Sequence, residues 1–160
     1  MALILEPAEK DGWIAQPVLS FGGKQVRSFQ NDSDHRVVVE VETNEVPLPS
    51  TQVALLKELL LAPVSQPDIQ LLGQLPDVFG KIIAGEEFAL ESFSVGYLKQ
   101  RLAVRISGLW TVVDLATMIY FLLDYSQSTL VKVAYKAPSE RFRLYEAAAS
   151  EFVSSISFVD

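Results

Sequence analysis

LATMIYFLLDYSQSTLVKVAYKAPSERFRLYEAAASEFVSSISF, Leu115 to Phe158, is the stretch whose reading decides the fold. Met118 to Leu123 is apolar at every position, so a strand there has no wet side and belongs inside a sheet covered on both faces. Asp124 to Ser128 supplies turn residues, and TLVKVAY then returns antiparallel. Pro138 stops that strand and Ser139 is the expected cap of the last helix. Phe142, Tyr145, Ala149, Phe152 and Ile156 recur at steps of three and four, which puts them on one helical face.

Upstream, RLAVRIS alternates Leu102, Val104 and Ile106 with Arg101, Ala103 and Arg105, a period-two strand. Gly108 is read as a turn, followed by a strand near Trp110 to Val113. Nearer the start, residues 1–12 read as a loose lead-in. WIAQPVL, Trp13 to Leu19, reads as a strand that Pro17 confines to an edge, because proline donates no ladder hydrogen bond. Gly22-Gly23 marks a hairpin turn into KQVRSF, where Val26 and Ser28 share one side and Gln25, Arg27 and Phe29 the other. In RVVVEVE, Val37, Val39 and Val41 face one way, and Arg36, Val38, Glu40 and Glu42 face the other.

Helices are expected in the middle. Ser50 or Thr51 caps TQVALLKELLL, with Val53, Leu56 and Leu60 as its stripe. A second helix is expected from about Ser65, with Ile69, Leu72 and Leu75 inward, and a short one over Val78 to Ile83. Glu86 to Ser94 is ambiguous. Strands, helices, strands, then a helix make a single α+β domain over 1–160, a mainly antiparallel sheet with helices packed on it.

Composition narrows the function classes. Hydrophobic residues are 49% and charged residues 21%, a globular balance. No cysteine is present, which excludes disulfides, thiolate metal sites and a cysteine nucleophile. His35 stands alone, so no histidine pair or cluster can be built. NDSDH, Asn31 to His35, lacks the turn glycine and distal glutamate of a calcium loop, and FGGK lacks the spacing of a phosphate cradle. No cofactor and no metal are expected. Asp114 and Asp124 are the carboxylates nearest apolar strands, and a carboxylate enzyme would need them to converge.

The net charge is −7, and the first eighty residues hold 11 acidic against 5 basic groups. That balance disfavours nucleic acid and anionic membranes and suits a basic protein partner. Glu40, Glu42 and Glu45, with Glu86, Glu87 and Glu91, are the candidate partner-binding residues. The longest apolar tract, Leu109 to Leu123, is interrupted by Asp114 and shorter than a spanning helix, so no membrane insertion is expected. MALILEP does not read as a secretory signal, which makes the cytoplasm the expected location.

From about Arg101 to Phe158 the pattern resembles the DcrB/PsbP-like group of α+β domains. The resemblance rests on RLAVRISG, the paired strands TMIYFLLD and TLVKVAY, the proline-started APSERF and a helix ending in SSISF. FGGKQVRSF, RVVVEVE and PSTQVALLKELL are similar instead to small bacterial immunity-type domains. Together the resemblances imply a non-enzymatic binding protein. The leading expectation is an immunity or chaperone-like protein for a secreted effector or toxin. The alternatives are a PsbP-like accessory or assembly factor of a membrane complex, and a small carboxylate-dependent enzyme.

Overall fold

The computed structural model describes residues 2–4, 12–61, 74–75, 78–79 and 87–159. Its centre is one antiparallel sheet. In chain order its strands are β2 (Trp13–Ala15), β3 (Leu19–Phe21), β4 (Lys24–Asn31), β5 (Val38–Asn44), β6 (Phe88–Leu98), β7 (Arg101–Trp110), β8 (Leu115–Asp124) and β9 (Thr129–Pro138). They lie in the order β2-β4-β5-β9-β8-β7-β6, with β3 also on β4. A separate ribbon pairs β1 (Ala2–Ile4) with β10 (Ser157–Val159). Residues 2–4 are thus a strand and not part of a loose lead-in. Helix α1 (Ser50–Leu61) lies against one face of the sheet and α2 (Phe142–Ser154) against the other.

The apolar strand at Met118 to Leu123 takes the position its composition demands. β8 sits between β9 and β7, and its alternate residues enter two cores. Ile119, Phe121 and Leu123 pack with Leu56, Leu60 and Phe79 on the α1 side. Leu122 packs with Val133, Phe152 and Ile156 on the α2 side. The three-and-four stripe of α2 buries Ala149 and Phe152 and packs Phe142 and Tyr145 at the margin; Ile156, expected on the same helical face, lies just past the helix end and is buried in the same core. Phe152 is the keystone of that side, with ring centroids 5.0 Å from Trp13 and 4.9 Å from Phe29. Tyr135 fastens the start of the helix: its hydroxyl donates to the Phe142 carbonyl at 2.6 Å while the two rings stack.

Local chemistry explains the departures. WIAQPVL is two short strands broken around Pro17, though both lie on the edge as the proline requires. Gly22 and Gly23 have φ of 57° and 73°, the paired left-handed conformations of a tight hairpin turn. The ambiguous Glu86–Ser94 stretch enters β6 from Phe88 onward, with a register shift between Leu90 and Ser92. Gly108 is not a turn. It lies inside β7, and a Cβ there would strike the Phe88 ring and the Ala89 carbonyl, so its small size admits the Phe88–Trp110 stack. β7 ends at Trp110, and the turn falls at residues 111–114, where Asp114 has φ of 51°. Ser139 does not cap α2, whose N-cap is Arg141; its hydroxyl donates instead to Asp114 Oδ1 at 2.8 Å. Leu75 is buried, and residues 78–79 are helical; the rest of the two central helices expected from the sequence lies outside the described residues.

Candidate binding surface

The α1 side of the sheet is covered unevenly. α1 and the buried Leu75 and Phe79 pack over the apolar residues of β6, β7, β8 and β9. Towards β4 and β5 the same face changes character, because most of their α1-facing positions, Lys24, Ser28, Gln30, Glu40 and Glu42 among them, are polar. Register makes the arrangement definite. Glu42 lies directly opposite Lys132, and Glu40 lies one position diagonal to Lys136, which itself pairs with Val38. Lys136 Nζ donates to Glu40 Oε2 at 3.0 Å. Lys132 and Lys24 approach Glu42 at 3.6 and 3.8 Å from its two flanks. The result is a ladder of alternating charge across β4, β5 and β9.

Glu40 and Glu42 were expected to present negative charge, and the sheet neutralises them instead. The side chains of both acids and of Lys132 and Lys136 are no more than about one-third exposed. Lys132 Nζ also lies 5.6 Å above the Phe121 ring. Burial there pushes Lys132 below the ordinary lysine range, with Glu42 opposing the shift.

Beside the ladder is an apolar margin. The pairings Ile14–Gln30, Leu19–Val26 and Phe21–Lys24 put these three side chains on the ladder's face. They are 44%, 55% and 59% exposed, so each keeps much of its apolar surface in water. Exposed apolar groups beside a charge-paired, partly desolvated ladder make this the candidate protein-docking face: contact at the centre and orientation from charge.

The six glutamates do not form one patch. Glu45 is exposed just after β5 and lines a polar cleft of about 310 Å³ with Arg27, Thr43, Asp124 and Thr129, on the opposite face of the sheet. Glu87 and Glu91 are exposed at β6, four strand spacings from β5, or about 19 Å. Glu86 lies outside the described residues. The sequence did not single out Lys24, Lys132 and Lys136 as partners of the glutamates. For Lys132 and Lys136 the only signal was the alternation of lysine with apolar residues in VKVAYK, which does not name a pairing strand.

Asp114 and Asp124 stand at the two ends of β8, roughly 30 Å apart, and share no pocket. Asp114 is an exposed turn residue held by Ser139. Asp124 is buried, and Ser126 donates to its Oδ1 from both N and Oγ, at 3.0 and 2.7 Å. Burial alone would raise its pKa, but hydrogen bonding, that from Ser126 included, and electrostatic attraction prevail and hold it below the ordinary carboxylate range. The acids close turns and cannot act as one catalytic pair. The polar loop expected over Asn31 to His35 begins after Asn31, which closes β4 and is buried, and its Asp34 is tied to Arg36 at 3.0 Å. Among the described residues no group of three or more His, Cys, Asp or Glu is placed to hold a metal ion. No described helix is long and apolar enough to cross a membrane.

An antiparallel sheet clad by a helix on each face is an α+β sandwich, and a solved structure shares it. The solution structure of the cyanobacterial PsbP (CyanoP) from Synechocystis sp. PCC 6803 superposes with a TM-score of 0.56, at 11% sequence identity. The match covers 93% of this chain and 83% of that one. The PsbP-like fold expected from Arg101 to Phe158 thus extends over nearly the whole chain, including the half that was expected to be immunity-like. No family model matches the sequence, and no curated protein is similar to it.

Proposed function

We propose that this protein is a non-enzymatic accessory protein that docks on a larger protein assembly, in the manner of a PsbP-like accessory or assembly factor of a membrane complex. The observation that carries this reading is the extent of the PsbP-like fold, over 93% of the chain. It favours the accessory role over the immunity or effector-chaperone role, for which the comparisons supply no support. The docking face is the charge ladder with its apolar margin. Leu19 and Phe21 make the contact, and the Glu40–Lys136 and Glu42–Lys132 pairs keep the surface stiff and its carboxylates paired at close approach. Charge steering by free acidic groups is left to Glu45, Glu87 and Glu91.

The test is native electrophoresis of gently solubilised membranes from cells making the tagged protein, together with aqueous fractions. Co-migration with a high-mass membrane complex is expected, and Leu19→Ser with Phe21→Ser should release the protein from it. These side chains are more than half exposed, so the fold should survive the change. Recovery only as a free species in the aqueous fraction would refute the accessory reading and return the cytoplasmic expectation to the front.

A further inference from the structure

The two edges of the sheet are finished differently. One edge consists of β2 and β3, three residues each and interrupted around Pro17, which leaves little continuous backbone for another strand. At the other edge β6 runs for 11 residues, and nothing among the described residues pairs with its outer side. Natural edges are blunted by charge, proline or irregularity. β6 has such a device only at Glu91, where its register shifts; from Ser92 to Leu98 there is no charge and no proline. Over those residues the strand is a ready template for a further strand.

We infer that β6 is the seam of a homodimer, formed by antiparallel addition of β6 from a second copy about a two-fold axis at Val95. A two-fold interface must be complementary to itself, and this strand is. With Val95 facing its own counterpart, Phe93 faces Tyr97 of the second copy and Ser94 faces Gly96. Phe93, Val95 and Tyr97 share the α1 face, as their pairing with Ile106, Val104 and Leu102 shows. Tyr97, 74% exposed in the single chain, is then covered beside an aromatic ring. On the other face Ser94 meets Gly96, and Ser92 meets Leu98, which is already buried in its own chain. At either end Glu91 comes level with Lys99 of the second copy, the first residue of the turn after β6, and the two carry opposite charges and are both exposed. Moving the axis to Ser94 sets Glu91 against Tyr97, and moving it to Gly96 sets Phe93 against Lys99. Only the Val95 register satisfies the apolar and the charged positions together.

The natural chain has no cysteine, so single cysteines report the register cleanly. Val95→Cys places its thiols on the axis, with Cβ atoms about 5 Å apart, and should give a covalent dimer under mild oxidation. Tyr97→Cys places them roughly 14 Å apart along the strand and should not. In sedimentation equilibrium, Glu91→Lys or Lys99→Glu alone should weaken self-association roughly tenfold, and the two together should restore it. A monomer at roughly 100 μM, equal cross-linking by both cysteine variants, or no recovery in the charge-swapped double variant would each overturn the proposal. Because the seam lies at the opposite edge from β2 and β3, its failure would leave the proposed docking face untouched.

Discussion

Lys136 Nζ lies 3.0 Å from Glu40 Oε2, the shortest of the cross-strand ion pairs that join β9 to β5. Both side chains are about 30% exposed, so the pair is neither a freely solvated contact nor a buried one. A double-mutant cycle with Glu40→Ala and Lys136→Ala should therefore give a modest coupling of about 0.5–1 kcal/mol, falling with added salt. Zero coupling at low salt would mean that the pair orders the surface without stabilising it.

Phe152 is 1% exposed and touches aromatic rings from both β2 and β4. Phe152→Ala should cost about 3–5 kcal/mol, read as a fall in urea midpoint and melting temperature. The loss should be near the upper end, because two rings from different strands would have to move to fill the space. An unchanged melting temperature would mean that α2 is held by other contacts.

Burial raises the Asp124 carboxyl pKa in the folded chain, but hydrogen bonding outweighs it and leaves the value lowered from the ordinary carboxylate range. Its ionised form therefore stabilises the fold fully above the unfolded value, and that contribution disappears as pH falls through the lower folded value. Asp124→Ala should lower stability by about 1.5–3 kcal/mol at neutral pH. The gap from the natural protein should narrow as the pH falls through the lowered folded value. A gap that stays constant would assign Asp124 a purely steric role in the β8–β9 turn.

Gly108 sits beneath the Phe88 ring inside a strand, where any side chain collides. Gly108→Ala should destabilise by about 1–3 kcal/mol, and near-ultraviolet circular dichroism should show the Trp110 environment altered. The sign separates two readings. Were glycine present only for backbone freedom, alanine in a strand would be neutral or better.

Periodicity carried the reading wherever one residue's neighbours along the chain determine its face. Met118 to Leu123, RLAVRIS and the α2 stripe show their burial in spacing alone. Gly108 was misread because a turn glycine and a glycine beneath a ring look alike in sequence; Phe88, twenty positions earlier, makes the difference. Ser139 was misread for a similar reason, since its competing partner Asp114 is distant in sequence. The charge ladder was half legible. Alternation showed Glu40 and Glu42 on one face, but Lys132 and Lys136 come from a strand about ninety residues on and Lys24 from the strand before, and only register pairs them. Net charge says nothing about such pairing, which is why an acidic half-chain suggested a bare negative surface.

Each face of the sheet contains one of the two tryptophans. Trp13 lies in the Phe152 cluster on the α2 side, and Trp110 stacks on Phe88 with a centroid separation of 4.8 Å on the α1 side. The molecule thus has an intrinsic fluorophore for each layer, separated by the sheet itself. Trp13→Phe and Trp110→Phe would leave emission from one layer at a time. Superimposable denaturation curves from the two variants would show that both layers melt as a single cooperative unit, and curves that part would reveal which helix lets go first.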